Sequence, residues 1–79
     1  MKEELVKYIG LELADIRKTK GYLIIDVAEK TKINKDTISK YENGNSSMKI
    51  FILAKLLDFY NISIVYFFTK VYDRVQSNQ

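Results

Sequence analysis

Apolar residues in this chain recur every three or four positions, and this spacing constrains its fold more than any other feature. In the first segment the spacing is set by Leu5, Ile9, Leu13 and Ile16. Residues at such intervals lie on one face of an α-helix, whereas a strand would require strict alternation. Gly21 is the expected end of this helix, because glycine readily adopts left-handed backbone geometry.

The middle of the chain predicts two more helices. The run 22–25 would suit a strand by propensity, but the polar residues from Asp26 onward favour a helix. A lone strand would also find no partner in a chain that is helical elsewhere, so we expect a helix within 22–31. The next helix begins at Asn34, a good N-cap residue, and ends at Gly44.

The last third of the chain predicts a fourth and a fifth helix, separated at Asn61 and with Ser63 as the cap of the fifth. The expected inward residues of the fourth helix are Ile50, Leu53, Ala54 and Leu57. The fifth helix shows the same spacing at Ile64, Phe67, Phe68, Val71 and Val75. We therefore expect an all-α fold of five short helices in a single domain, residues 1–79.

Composition excludes most catalytic chemistry. The chain has no Cys and no His, so it lacks the usual thiolate nucleophile, neutral-pH base and transition-metal ligands. We expect no enzyme activity, no cofactor and no metal. The acidic residues near the start are interpreted as a solvated helix face rather than a carboxylate site; they are Glu3, Glu4, Glu12 and Asp15.

The apolar stretch 50–68 has about the length of a membrane span. Lys55 and Asp58 lie near its middle, where charges are costly in a bilayer. We interpret it as two core helices and expect no membrane insertion. Lys2 and Glu3 stand where a secretory signal would become apolar, so we expect a cytoplasmic protein.

Basic charge is concentrated in one third of the chain. Residues 17–40 carry seven basic and three acidic side chains, while the net charge of the whole chain is +3. A localised basic surface is typical of proteins that bind nucleic acids.

Four stretches, at 15–21, 27–30, 37–44 and 61–64, resemble the Cro/lambda-repressor-like helix-turn-helix proteins, also called the XRE family. The most specific is 37–44, with the sequence TISKYENG. The similarity runs without a gap over about 9–68, the expected core of the domain. It implies that helices 2 and 3 form a helix-turn-helix and that the chain is a transcriptional regulator, a repressor or a controller. Such a regulator would bind double-stranded DNA as a dimer on a two-fold symmetric operator.

The resemblance also implies which residues meet DNA, because the third helix of this motif enters the major groove. Lys35, Asp36 and Lys40 would face base edges, since lysine suits guanine acceptors and aspartate accepts from cytosine N4. Thr37 would touch a thymine methyl or a phosphate. The remaining expected contacts are with phosphates, through amides and backbone N–H groups of Asn34, Asn43, Gly44 and Asn45 and through the nearby Lys32.

Family likeness further implies a structural pair, Arg17 with Glu42, that bridges helix 1 to the end of helix 3. An arginine–carboxylate pair can be bidentate, which fixes orientation as well as adding energy. Ala28 would lie where the two motif helices come closest. The seam between those helices and the first would be formed by Val27, Ile33, Ile38 and Tyr41.

The chain departs from the family pattern near helix 2. Leu23 and Ile24 occupy positions that usually hold Thr and a DNA-contacting Gln, and Lys32 replaces a turn glycine. Ile24 and Asp36 motivate one alternative, a protein-interaction module of the same fold without DNA binding. A second alternative is an antitoxin that binds a toxin and its own promoter.

Aromatic residues are concentrated in the last two helices. If helix 5, expected at about 64–76, turns Ile64, Phe67 and Val71 inward, then Val65, Phe68 and Tyr72 form a second apolar stripe. We interpret this stripe as the interface of a homodimer. The alternative is that these rings cover a loosely packed core.

Overall fold

A computed structural model describes residues 2–45 and 47–78, and every regular element within them is an α-helix. Met1, Ser46 and Gln79, three positions of the expected 1–79 domain, lie outside the described residues. The helices are α1 Lys2–Thr19, α2 Ile24–Thr31, α3 Lys35–Glu42, α4 Ile50–Tyr60 and α5 Ile64–Ser77. The prediction of an all-α, five-helix fold is confirmed.

The ends of α1 follow from its sequence. Gly21 has a φ of 82°, and the backbone N–H of Tyr22 donates to the carbonyl of Arg17 at 3.1 Å, which ends the helix as predicted. Leu5, expected on the inner face, is exposed instead. It lies in the first turns of α1, before the buried run of residues begins at Tyr8.

Helix α2 forms although its N-cap residue has no hydrogen-bonding side chain. The N-cap is Leu23, and the carboxylate of Asp26 compensates by accepting a hydrogen bond from the Leu23 N–H at 2.8 Å. The helix closes at Lys32, which has φ 64° and ψ 19°. The prediction of a helix within 22–31 is confirmed. Lys32, the lysine that replaces a turn glycine, adopts left-handed geometry, which is uncommon for a residue with a side chain.

Helix α1 lies between α3 and α5, while α2 packs against α3 and α4, and α4 also packs against α5. The buried apolar residues of these helices form one core; they are Tyr8, Ile9, Leu13, Ile16, Val27, Ile33, Ile38, Tyr41, Leu53, Leu56, Leu57, Tyr60, Phe67 and Val71.

The inner face of α4 differs from the predicted one. Ile50 is 66% exposed and Ala54 is also exposed, whereas Leu56 and Tyr60 are buried. Both faces satisfy the helical spacing, because almost every residue of this segment is apolar. Ile64 was likewise expected in the core, but it is partly exposed at the start of α5.

Among the described residues, no single helix is long and apolar enough to cross a bilayer. Helices α4 and α5 reach that length and hydropathy only when taken together, and they are bent by 103° at their junction.

The interpretation of the acidic residues of α1 as a solvated face is wrong for Glu12. This residue is 7% exposed, and its Oε1 accepts a hydrogen bond from Nε of Arg74 at 2.7 Å. Asp15 is exposed but contacts the same guanidinium. A partner 62 positions away in the sequence cannot be inferred from helical spacing. The side chain of Glu3 lies outside the described residues.

Tyr60, at the end of α4, couples its ionisation to folding. Its side chain is 2% exposed, and burial together with the nearby Glu42 carboxylate raises the pKa of its hydroxyl to about 12. The unfolded chain loses this proton near an ordinary tyrosine pKa of about 10. Stability is therefore fully present below about pH 10 and is lost as pH rises toward 12.

Comparison with Tyr60→Phe isolates this effect, because the variant has no hydroxyl proton to lose. From about pH 9 to about pH 11, the free energy of unfolding of the wild type should decrease by about 1 kcal/mol relative to the variant. Urea denaturation at the two pH values measures the difference. A pH-independent difference would contradict the buried, protonated hydroxyl.

Candidate nucleic-acid interface

The turn between α2 and α3 is fixed by short-range hydrogen bonds. Thr31 is buried; its Oγ1 donates to the carbonyl of Val27 at 2.7 Å and accepts from the N–H of Ile33 at 3.2 Å. The N–H of Lys32 donates to the carbonyl of Ala28 at 2.9 Å. The sequence reasoning missed Thr31, since a threonine at a helix end carries no motif signal. The bonds set the angle at which α3 leaves α2.

Asn34 begins α3 as predicted. Its Oδ1 accepts a hydrogen bond from the N–H of Asp36 at 2.7 Å, which satisfies one of the free donors of the first helical turn. Because the oxygen is used in capping, the amide NH₂ is the part of this side chain that remains available to a phosphate.

The outer face of α3 holds the three residues expected to read bases. Lys35, Asp36 and Lys40 are all exposed, while Thr37 is half-buried. Asp36 and Lys40 are four positions apart and therefore lie on the same side of the helix. On the opposite side, Ile38 is fully buried in the core. The inner side of α3 is thus packed in the core, and its outer side is exposed to solvent.

The backbone N–H groups at the C-terminal end of α3 donate to carbonyls of the same helix. The N–H groups of Asn43, Gly44 and Asn45 donate to the carbonyls of Ser39, Tyr41 and Lys40 at 3.0, 3.1 and 3.0 Å. Side-chain amides and backbone N–H groups of these residues were expected to bind phosphates, but each of the three N–H groups already has a partner. The side-chain amides remain as donors, although Nδ2 of Asn43 also lies 3.4 Å from Oγ of Ser39.

Lys49 was missed by the sequence reasoning, and the structure places it in a groove beside Lys40. Its backbone N–H donates to the hydroxyl of Tyr41 at 3.0 Å, which attaches the segment before α4 to α3. The groove is lined by Thr37, Lys40, Tyr41, Ser47, Lys49 and Ile52. Lys49 adds a positive charge to this edge of α3, and no motif in the sequence identifies it.

Arg17 and Glu42 are in direct contact. Nε of Arg17 donates to Oε2 of Glu42 at 2.8 Å and Nη2 donates to Oε1 at 3.0 Å, so the pair is bidentate. A third bond runs from Nη1 to the carbonyl of Tyr22 at 2.9 Å. The hydrogen bond to Glu42 raises the pKa of Arg17 above its ordinary value. This clamp joins α1 to the end of α3.

Gly10 allows α1 to approach the end of α3 closely. A Cβ atom at this position would lie 2.5 Å from the carbonyl oxygen of Tyr41 and 2.6 Å from that of Glu42. Contacts below 3.0 Å essentially never occur for real Cβ atoms, so only glycine fits. The role of Gly10 could not be predicted from the sequence. Gly10 lies within an otherwise regular helical pattern, and nothing in that pattern shows which helix approaches it.

The departures near α2 have a structural consequence. Ile24 is partly buried against the core, and its side chain carries no polar group that could bind DNA. Its neighbours Leu23 and Ile25 are 65% and 59% exposed. The start of α2 therefore exposes apolar side chains to solvent.

The apolar stripe expected on α5 is partly exposed. Val65 and Tyr72 are 74% and 61% exposed. Phe68 is half-buried, and its ring stands edge-on to that of Phe67 with centroids 5.2 Å apart. Phe67 and Val71 lie on the inner face of α5 as predicted, whereas Ile64, predicted with them, does not.

Comparison with known proteins agrees with this geometry. The family described as Helix-turn-helix matches residues 13–67 of the chain. No curated protein sequence matches it.

Among solved structures, the chain resembles the restriction-modification controller protein C.Esp1396I. A Tyr-to-Phe variant of that protein is 23% identical, with a TM-score of 0.86 over 95% of each chain. The tetramer of C.Esp1396I in complex with its natural 35-base-pair operator is 24% identical, with a TM-score of 0.82. This alignment covers 91% of the present chain and 95% of the other. At these identities the likeness establishes the fold.

Proposed function

Because the chain belongs to the helix-turn-helix family of DNA-binding regulators, as its Cro/lambda-repressor-like resemblance implied, we propose that it is a repressor or controller of transcription. It would occupy a two-fold symmetric operator as a homodimer. The observation that carries this proposal is that the inner side of α3 is fixed to the rest of the domain while the polar side chains on its outer side are exposed. Base reading requires such a rigid helix with unengaged polar side chains.

Three contacts hold the inner side of α3 in place. Asn34 caps its start, Ile38 fills the core, and the Arg17–Glu42 clamp holds its end. Side chains on such a helix keep their positions relative to the rest of the domain. The exposed residues in front can then meet base edges without a large ordering cost.

We assign base reading to Lys35, Asp36 and Lys40, with Thr37 at the edge of the same face. We assign phosphate contacts to Lys32 and to the side-chain amides of Asn34, Asn43 and Asn45. Gly44 acts through its φ of 66°, which turns the chain after α3, rather than through its engaged N–H. Lys49 adds a further phosphate contact at the groove beside Lys40.

The homodimer would form through Val65, Phe68 and Tyr72 on α5. Exposed apolar residues on one helix are costly for a small chain, and a second copy of the same stripe would cover them symmetrically. The tetrameric C.Esp1396I complex supports this proposal, because that protein of the same fold binds its operator as a multimer. Sedimentation over a concentration series tests it: a monomer mass at all concentrations would contradict the dimer.

Replacing Lys40 with Ala should relax sequence preference at one base-pair position of each half-site. The loss of discrimination there is expected to be about 1–3 kcal/mol, because one donor to a guanine edge is removed. Selection from a random-sequence library, first with wild type and then with the variant, measures it. Lys70→Ala, an exposed position on α5, is the matched control. A uniform loss of affinity across all sequences would instead make Lys40 a phosphate contact.

One observation favours a second candidate function. The exposed apolar start of α2, at Leu23 and Ile25, could serve a protein partner in a module that does not bind DNA. Nothing comparable favours an antitoxin. Binding to duplex DNA at low salt distinguishes the two functions, because the regulator should bind it and the protein-interaction module should not.

A further inference from the structure

Two arginine–carboxylate clamps meet on α1. Arg17 joins α1 to the end of α3 through Glu42. Arg74 joins α5 to α1, donating from Nε to Oε1 of Glu12 at 2.7 Å and from Nη2 to Asp15. Helix α1 therefore connects the helix proposed to read DNA with the helix proposed to hold the dimer together.

Arg74 and the dimer stripe lie on different sides of α5. Arg74 follows Phe67 and Val71 at helical spacing, and both of these are fully buried. Val65 and Tyr72 are seven positions apart and face outward together. The stripe would thus contact the second copy while Arg74 holds the inner side of the same helix against α1.

We propose that Arg74 is a positioning residue that fixes the separation and rotation of the two recognition helices in the dimer, and so determines the half-site spacing that the protein accepts. This inference rests on the proposed dimer through α5. The planar guanidinium bridges two carboxylates about one turn apart on α1, so α5 can neither slide nor rotate without breaking one contact.

A rigid connection matters because DNA changes both distance and direction with each base pair. Adding one base pair between half-sites moves the second by about 3.4 Å and turns it by about 35°. A dimer whose α5 is fixed to α1 cannot follow that rotation. If Arg74 is removed, α5 can pivot on its remaining apolar contacts and the second recognition helix can reach a shifted half-site.

The test uses the full chain and three duplexes that carry the selected operator with its natural spacing, one base pair fewer and one base pair more. We expect wild type to prefer one spacing by at least about tenfold, and Arg74→Gln to bind all three within about threefold. The variant should keep its dimer mass and its affinity for a single half-site. Lys70→Gln, which removes a charge from α5 but leaves the clamp intact, should keep the wild-type preference.

The inference is overturned if Arg74→Gln keeps the wild-type preference or loses affinity evenly at all spacings. If Arg74→Gln does not fold, Asp15→Ala removes only the exposed arm of the clamp. An unchanged preference in that variant equally overturns the inference. Failure of the proposed dimer is distinguishable, because wild type itself would then bind a single half-site as a monomer and show no preference among the three duplexes.

Discussion

Replacing Gly10 with alanine should lower the free energy of unfolding by about 2–3 kcal/mol, although the same change in an ordinary helix interior raises it by up to about 1 kcal/mol. The reversal of sign comes from the backbone of α3. The added methyl carbon would lie 2.5 Å from the carbonyl oxygen of Tyr41 and 2.9 Å from the carbonyl carbon of Glu42. Backbone atoms cannot rotate away as a flexible side chain can, so α1 and α3 must separate.

Urea denaturation measures the change, and Gly21→Ala provides a contrast. Gly21 has a φ of 82°, but nothing lies within 4 Å of a Cβ built there. Its substitution should therefore cost only the backbone strain, about 1 kcal/mol. A Gly10→Ala protein as stable as wild type would show that α1 and α3 are not in close contact.

The second large effect is expected at the clamp between α1 and α3. Glu42→Gln should destabilise the protein by about 3 kcal/mol, because it leaves the guanidinium of Arg17 buried without an opposing charge. The side chains of Arg17 and Glu42 are only 10% and 8% exposed, so water cannot replace the lost carboxylate. The end of α3 would also lose its attachment, and affinity for DNA should fall with stability.

A double-mutant cycle separates the pair from its surroundings. Arg17→Met combined with Glu42→Leu should cost less than the sum of the two single changes, because no charge is then left without a partner. Urea denaturation of all four proteins gives the coupling. A single-variant cost below about 1 kcal/mol, the value typical of exposed ion pairs, would contradict the buried clamp.

Much of the fold could be predicted from local signals. Asn34 and Ser63 begin helices because their side-chain oxygens accept from the backbone, and Asn61 ends one because asparagine tolerates left-handed geometry. The partnership of Arg17 with Glu42 was available only through family likeness. No spacing rule relates two residues that are 25 positions apart in the sequence.

What the sequence could not predict depends on how the helices pack. Two faces of α4 fit the helical spacing equally well, and packing against α2 and α5 selects the one that includes Leu56. The role of Gly10 depends on a carbonyl of another helix, and the burial of Glu12 depends on Arg74. In the candidate site, the residue types on α3 suggested the interface, but the engagement of the Gly44 and Asn45 N–H groups followed only from the structure.

We propose that this chain binds DNA through the exposed face of α3 and the basic residues around it. The most direct measurement is the affinity of the wild-type protein for random duplex DNA over a series of salt concentrations. Each phosphate neutralised contributes about −0.9 to the slope of log affinity against log salt, so two copies that contact several phosphates each should give about −4 or steeper. Binding that weakens in this way is the predicted result. No binding even at low salt would contradict the account.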